Sequence, residues 1–173
     1  MTQLPLPPHS PHCMGCGPDN PAGLQLEVFR SGDEVYTDMA FDERHIGAPG
    51  LAHGGAVAAA CDDLFGFTLW IARTPAVTRN LTVDYLAPVP LHRPLRIRAH
   101  VREVDGRKLH LEATATADDG TEMFTAQAVF ITVSIEHFAR HGAPGAVQHL
   151  LDRLTSALGD DGPHRSSPHP PDR

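Results

Sequence analysis

The groups best placed to do chemistry in this chain lie within twenty residues of one another. Residues 45–70 read HIGAPGLAHGGAVAAACDDLFGFTLW, and they bring His53-Gly54-Gly55 to the start of an almost wholly apolar run that carries Asp62 and Asp63. Gly47, Pro49 and Gly50 in the preceding loop let the backbone turn sharply and come close to a ligand. The first N–H groups of a helix have no partner inside it, and the helix dipole makes that end positive. Gly54 and Gly55 leave those groups uncovered, so the spot suits an oxygen that gains negative charge, as in acyl transfer. The same glycines also suit mere tight packing of the loop, and spacing alone leaves both readings open.

The acids raise a second question. Between residues 56 and 72 the polar side chains are Asp62, Asp63 and Thr68. A helix so apolar is expected to be buried on every side, and a carboxylate in it is costly unless paired or used. Asp62 follows His53 after about 900° of rotation and about 13.5 Å of rise. It therefore faces away from its own glycine loop, more than two turns along. Two copies packed antiparallel would bring the loop of one to the acid of the other, so a functional pair implies at least a dimer with shared sites. Asp63, about 100° further round, fits a structural hydrogen bond better.

Several strands must hold this helix. Residues 23–30 and 34–41 read as a strand pair, followed after the helix by runs at 77–86, 95–105, 108–117 and 123–133. The middle runs alternate polar and apolar residues with the period of half-buried strands. Asp105-Gly106 and Asp119-Gly120 between them are hairpin signals. A sheet wrapping one buried helix is the economical way to cover it, an α+β single domain. Residues 146–158 carry an apolar stripe and read as a second helix. The expected organisation is an extended Pro-rich arm at 1–12, one domain at 13–138, a helical extension at 139–158 and a disordered tail at 159–173.

A chain of 173 residues with net charge −7 accommodates one core and argues against general nucleic-acid binding. The N-terminus lacks the basic start and apolar run of a signal peptide, and the helix, broken by two acids, reads as too short for a membrane span. Three cysteines do not make a disulfide framework, so a cytoplasmic location is expected. Cys13 and Cys16 form one CxxC with His9 and His12 nearby. Zinc normally needs two such pairs, and the expectation is a packed turn with no metal. About half of the twelve histidines sit in the Pro-rich ends and read as solvated.

HxGxPGxxHGG at 45–55 followed by Asp62, CxxCGPDNPxGL at 13–24 and LTVDYLAPVP at 81–90 together resemble the hotdog-fold thioesterases of the PaaI type, in the branch of thioesterase superfamily member 4. The resemblance covers about residues 13–133. It implies hydrolysis of an acyl-CoA thioester without a cofactor, in a homodimer or homotetramer. The Gly54 or Gly55 N–H would polarise the carbonyl, and Asp62 of the partner chain would act as general base or nucleophile. Thr78, at the start of the next strand, would position the water or the acid. His53 would orient the loop, and His45 and Gly47 would flank the substrate. Gly47 replaces the Asn or Gln that some members carry, which removes a side-chain donor from the oxyanion site. Among Arg73, Arg79, Arg93 and Arg96, Arg79 is the expected contact for coenzyme A phosphates. The alternatives are a non-catalytic acyl-CoA-binding domain and an acyl-CoA hydratase or dehydratase.

Overall fold

The computed structural model describes residues 5–143, 145, 147 and 148. Two strands come first, β1 (Phe29–Ser31) and β2 (Glu34–Met39). A 3₁₀ turn (Glu43–His45) and the short strands β3 (Ile46–Ala48) and β4 (Leu51–Ala52) lead into helix α1 (Gly54–Ala72). Then follow β5 (Ala76–Tyr85), β6 (Leu95–Asp105), β7 (Lys108–Ala117), β8 (Glu122–Thr132) and helix α2 (Ile135–His141). The long strands form one antiparallel sheet in the order β1-β2-β6-β7-β8-β5, and the sheet curls around α1.

Alternation determines which face each strand buries. In β7, Leu109, Leu111, Ala113, Ala115 and Ala117 point inward while the residues between them stay outside. Gly106 and Gly120 take φ of 56° and 86° in the two hairpins, a region that costs glycine nothing. Phe65 and Phe67 of α1 and Phe124 of β8 are fully buried, each worth about 1.5–3 kcal/mol relative to exposure.

Several expectations change. Residues 24–28 do not extend β1. The Leu24 N–H donates to the Met14 carbonyl, and the Leu26 N–H to that of Gly15, both at 2.9 Å. With Gln25 at φ 52°, this stretch pairs with the turn around Cys13 rather than with β2. The N-terminal segment is docked too, because the Leu6 N–H donates to the Val28 carbonyl at 2.7 Å. Helix α1 is buried on one side only: Val57, Ala60, Cys61, Leu64, Phe65, Phe67, Thr68 and Trp70 are inside, while Asp62, Gly66 and Leu69 are half-covered. By length and composition α1 suffices to cross a bilayer, contrary to the sequence reading, but its apolar residues are spent on the sheet. Helix α2 lies just before the stretch expected to be helical. The helix expected at 146–158 and the tail at 159–173 lie outside the described residues.

Candidate active site

The glycine loop is braced before it reaches the helix. Asp42 caps the 3₁₀ turn, its Oδ1 accepting from the Arg44 N–H at 2.9 Å, and His45 Nδ1 accepts from the Asp42 N–H at 3.3 Å. His45 is buried against Phe41, and its carbonyl accepts from the His53 N–H at 2.7 Å. It is a packing residue of the loop. Gly47 has a steric reason, since a Cβ there would lie 2.6 Å from His53 Cα. The Ala52 N–H, donating to the Val89 carbonyl at 2.9 Å, ties the loop to the segment after β5.

At the helix start His53 is the N-cap. Its Nδ1 accepts from the Gly55 N–H at 2.8 Å, which occupies one of the two amides expected to polarise a carbonyl. The Gly54 N–H has no acceptor among the described residues. From the other side, Tyr85 Oη donates to the Gly54 carbonyl at 2.7 Å. Nothing in the sequence singled out Tyr85. The alternation of β5 puts it on the strand's exposed end, where it reaches the loop.

Asp62 meets a different partner. Thr78 Oγ1 donates to Asp62 Oδ1 at 2.9 Å, bringing together the two side chains that sequence similarity had linked. Both line a cavity of about 610 Å³ whose other walls include Leu69, Trp70, Val77 and Phe130. Ile135 and Phe138 of α2 complete it. His53, Gly54 and Gly55 are absent from the lining of this cavity. Within one chain, Asp62, midway along α1, and the loop at the start of α1 do not share a cavity.

The arginines divide by ion pairing. Arg96 is held by Asp38 at 2.6 Å, and Arg93 by Asp119 at 2.6 Å. Arg73, in the left-handed region at φ 51° as the C-cap of α1, lines the cavity. Arg79 is exposed on β5 with no partner among the described residues.

Asp63 turns to the N-terminal segment. Its Oδ1 lies 3.1 Å from His9 Nδ1 and 3.1 Å from Cys13 Sγ, and His9 Nδ1 lies 3.3 Å from Cys16 Sγ. His9, expected to be solvated, packs its ring 4.2 Å from that of Phe67. Burial opposes a charged His9, yet hydrogen bonding to Asp63 and Cys13 outweighs it and lifts the imidazole to about 9. Hydrogen bonding from Cys16 brings the Cys13 thiol down to about 3 against its burial. Cys61, buried in the core, is pushed up to about 12 and is an inert small hydrophobe.

The model of the thioesterase superfamily matches residues 49–124, the span from the glycine loop through β8's start. The acyl-coenzyme A thioesterase THEM4 of Mus musculus is 35% identical over 117 residues, covering 66% of this chain and 50% of that protein. That of Bos taurus is 31% identical over 117 residues, covering 66% and 48%. This chain thus spans about half the length of these relatives. A crystal structure of a thioesterase superfamily protein superimposes with a TM-score of 0.66 at 26% identity, over 69% of this chain and 60% of the other. One of a hypothetical thioesterase protein with coenzyme A from Streptococcus pneumoniae TIGR4 has the same fold, with a TM-score of 0.60 at 19% identity over 63% of this chain and 86% of that one. The fold is the hotdog of these solved structures, and residues 49–124 are similar to the thioesterase superfamily.

Proposed function

We propose that this protein is an acyl-CoA thioesterase, which adds water to a thioester and releases a carboxylic acid and coenzyme A. The observation that carries the reading is the Asp62 carboxylate, held by Thr78 in the wall of a largely apolar cavity. An acid at that position can take a proton from water as the oxygen attacks the carbonyl carbon, or attack the carbon itself. The C–S bond then breaks, and the coenzyme A thiolate leaves and recovers a proton; in the second route water then hydrolyses the acyl anhydride formed on Asp62, which frees the carboxylic acid. The apolar walls suit a medium-chain or aryl acyl group. Arg73 and Arg79, free of the ion pairs that hold Arg93 and Arg96, are the cations left for the phosphates. The resemblance to acyl-coenzyme A thioesterases supports the same substrate class.

The site is completed by a second copy. Strand β5 is an edge of the sheet, ten residues long, and Arg79, Asn80, Thr82 and Asp84 on it are exposed. A long unprotected edge is a template for pairing. Antiparallel pairing of two β5 strands would set the Asp62–Thr78 end of one protomer against the Tyr85–Gly54 end of its partner. The free Gly54 N–H at the positive end of α1 would then face the thioester carbonyl oxygen. Three free cysteines suit a reducing cytoplasm.

The test is release of free thiol from a panel of acyl-CoAs, by wild type and by Asp62→Ala of matched dimer content. Turnover that collapses in the variant supports the reading. Equal rates remove Asp62 from the reaction, and binding without thiol release from any acyl-CoA points to a non-catalytic acyl-CoA-binding domain.

A further inference from the structure

The sequence reading set the Cys13/Cys16 pair aside because one CxxC supplies only half of a zinc site. The fold supplies the other half. His9, Cys13, Cys16 and Asp63 each present one donor atom, and these four atoms all lie within 4.8 Å of one another. The shortest separations are 3.1, 3.1 and 3.3 Å. Four ligands around a tetrahedral zinc at ~2.0–2.3 Å stand on the order of 3.3–3.8 Å apart. The cluster is within about an ångström of that figure at every edge. We infer that His9 Nδ1, Cys13 Sγ, Cys16 Sγ and Asp63 Oδ1 form a tetrahedral zinc site that fastens the N-terminal segment to α1.

Two further observations point the same way. Asp63 Oδ2 is buried and has no hydrogen-bond partner, so the carboxylate sits in the protein with its acceptor capacity partly unused. An unpartnered buried oxygen is costly, and a cation bound at the neighbouring oxygen offsets that cost. The backbone is also cleared for the cluster. A Cβ at Gly15 would overlap the Asp63 side chain, one at Gly17 would overlap the Cys13 backbone, and one at Gly66 would come within 2.9 Å of His9 Cε1. The turn bearing the two thiols can therefore lie directly on α1, with the histidine ring in the groove over Gly66.

The donor set selects the metal. Two sulfurs and an imidazole favour zinc over magnesium or calcium, which prefer oxygen ligands. All four positions around the ion are taken by protein, which is the pattern of a structural site rather than one that activates water. Its role is to hold the wall of the neighbouring cavity, since His9 and Asp63 line that cavity beside Asp62 and the His9 ring stacks 6.3 Å from Trp70.

The experiment reads metal and not turnover, so it stands or falls apart from the thioesterase reading. The full chain, purified reduced and freed of metal, is titrated with cobalt(II). One equivalent per chain is expected to give a thiolate-to-cobalt charge-transfer band with intense tetrahedral ligand-field bands, all bleached by zinc. Cys13→Ser and Cys16→Ser, verified by circular dichroism, are each expected to weaken the charge-transfer band, and the double variant to lose it. Should either variant not fold, the wild-type spectrum decides alone. The inference is overturned if cobalt binds without a thiolate band, for this chain has many other histidines that would give a pale octahedral spectrum. It is equally overturned if the reduced chain takes up no cobalt.

Discussion

Asp62 and Asp63 are adjacent on α1, yet the first turns to a threonine on β5 at the wall of an apolar cavity, and the second to a histidine and a cysteine of the N-terminal segment. About 100° of helix rotation separates a carboxylate that is accessible to a substrate from one whose side chain is only 8% exposed. The surroundings assign the work. Asp62 has a single neutral hydrogen-bond donor and open space beside it, so its carboxyl group is reachable from the cavity. Asp63 is enclosed by groups that share protons and sulfur donors with it, so its charge is committed to holding two segments together. An acid in an apolar helix is thus accommodated in two ways, one facing a cavity and one paired with a docked segment, and this helix contains one of each.

The sharpest way to break the contrast is Asp62→Asn. If Asp62 serves the proposed hydrolysis, kcat should fall by about 10²–10⁴-fold, with the circular dichroism spectrum and oligomeric state unchanged. Retained turnover would mean that Asp62 is no more functional than its neighbour. Asp63→Asn should do the reverse. It removes the charge that faces His9 and should cost about 1–3 kcal/mol of stability, read as a lower Tm, while turnover per folded molecule changes far less than in Asp62→Asn. A variant with wild-type Tm and collapsed activity would exchange the two roles. Thr78→Val tests the partner of Asp62: one hydrogen bond to a charged group is worth about tenfold in kcat/KM, with little change in Tm.

The smallest effect belongs to the loop that supports both. Asp42→Ala removes the cap of the 3₁₀ turn beneath His45 and should cost about 0.5 kcal/mol. The Arg44 guanidinium, hydrogen bonded to Asp42, holds that carboxyl down at about 2. Its folded-state pKa is below the unfolded value, so its contribution is full above about pH 4 and is lost as pH falls through 2. An acid-unfolding curve of Asp42→Ala should therefore converge on wild type at low pH and separate from it above that window.

Much of this was legible because it is local. The hairpins at Asp105-Gly106 and Asp119-Gly120, the alternation in β6 and β7, and the helix beginning at the HGG motif all follow from neighbours within a few residues. The boundaries of β6 and β7 fell where alternation placed them. The first strand was overextended because residues 24–28 alternate as a strand would. Their hydrogen bonds go instead to Met14 and Gly15, and no local pattern specifies that partner. Helix α2 starts at Ile135, ahead of the extension expected at 139–158, because seven residues are too few for periodicity to mark a boundary.

The same division runs through the site. Residue spacing alone puts an amide-rich helix start and an acid on opposite faces of one helix, since rotation per residue is a property of the helix. The glycines and proline at 47–50 likewise mark where the loop turns. That Thr78 meets Asp62, that Tyr85 meets Gly54, and that His9 and Asp63 join a single CxxC to make four donors follows from folding of the whole chain. Those contacts span 16, 31 and 54 positions. Pairings at such separations depend on how a sheet curls and where a segment docks, which the packing of the whole core settles.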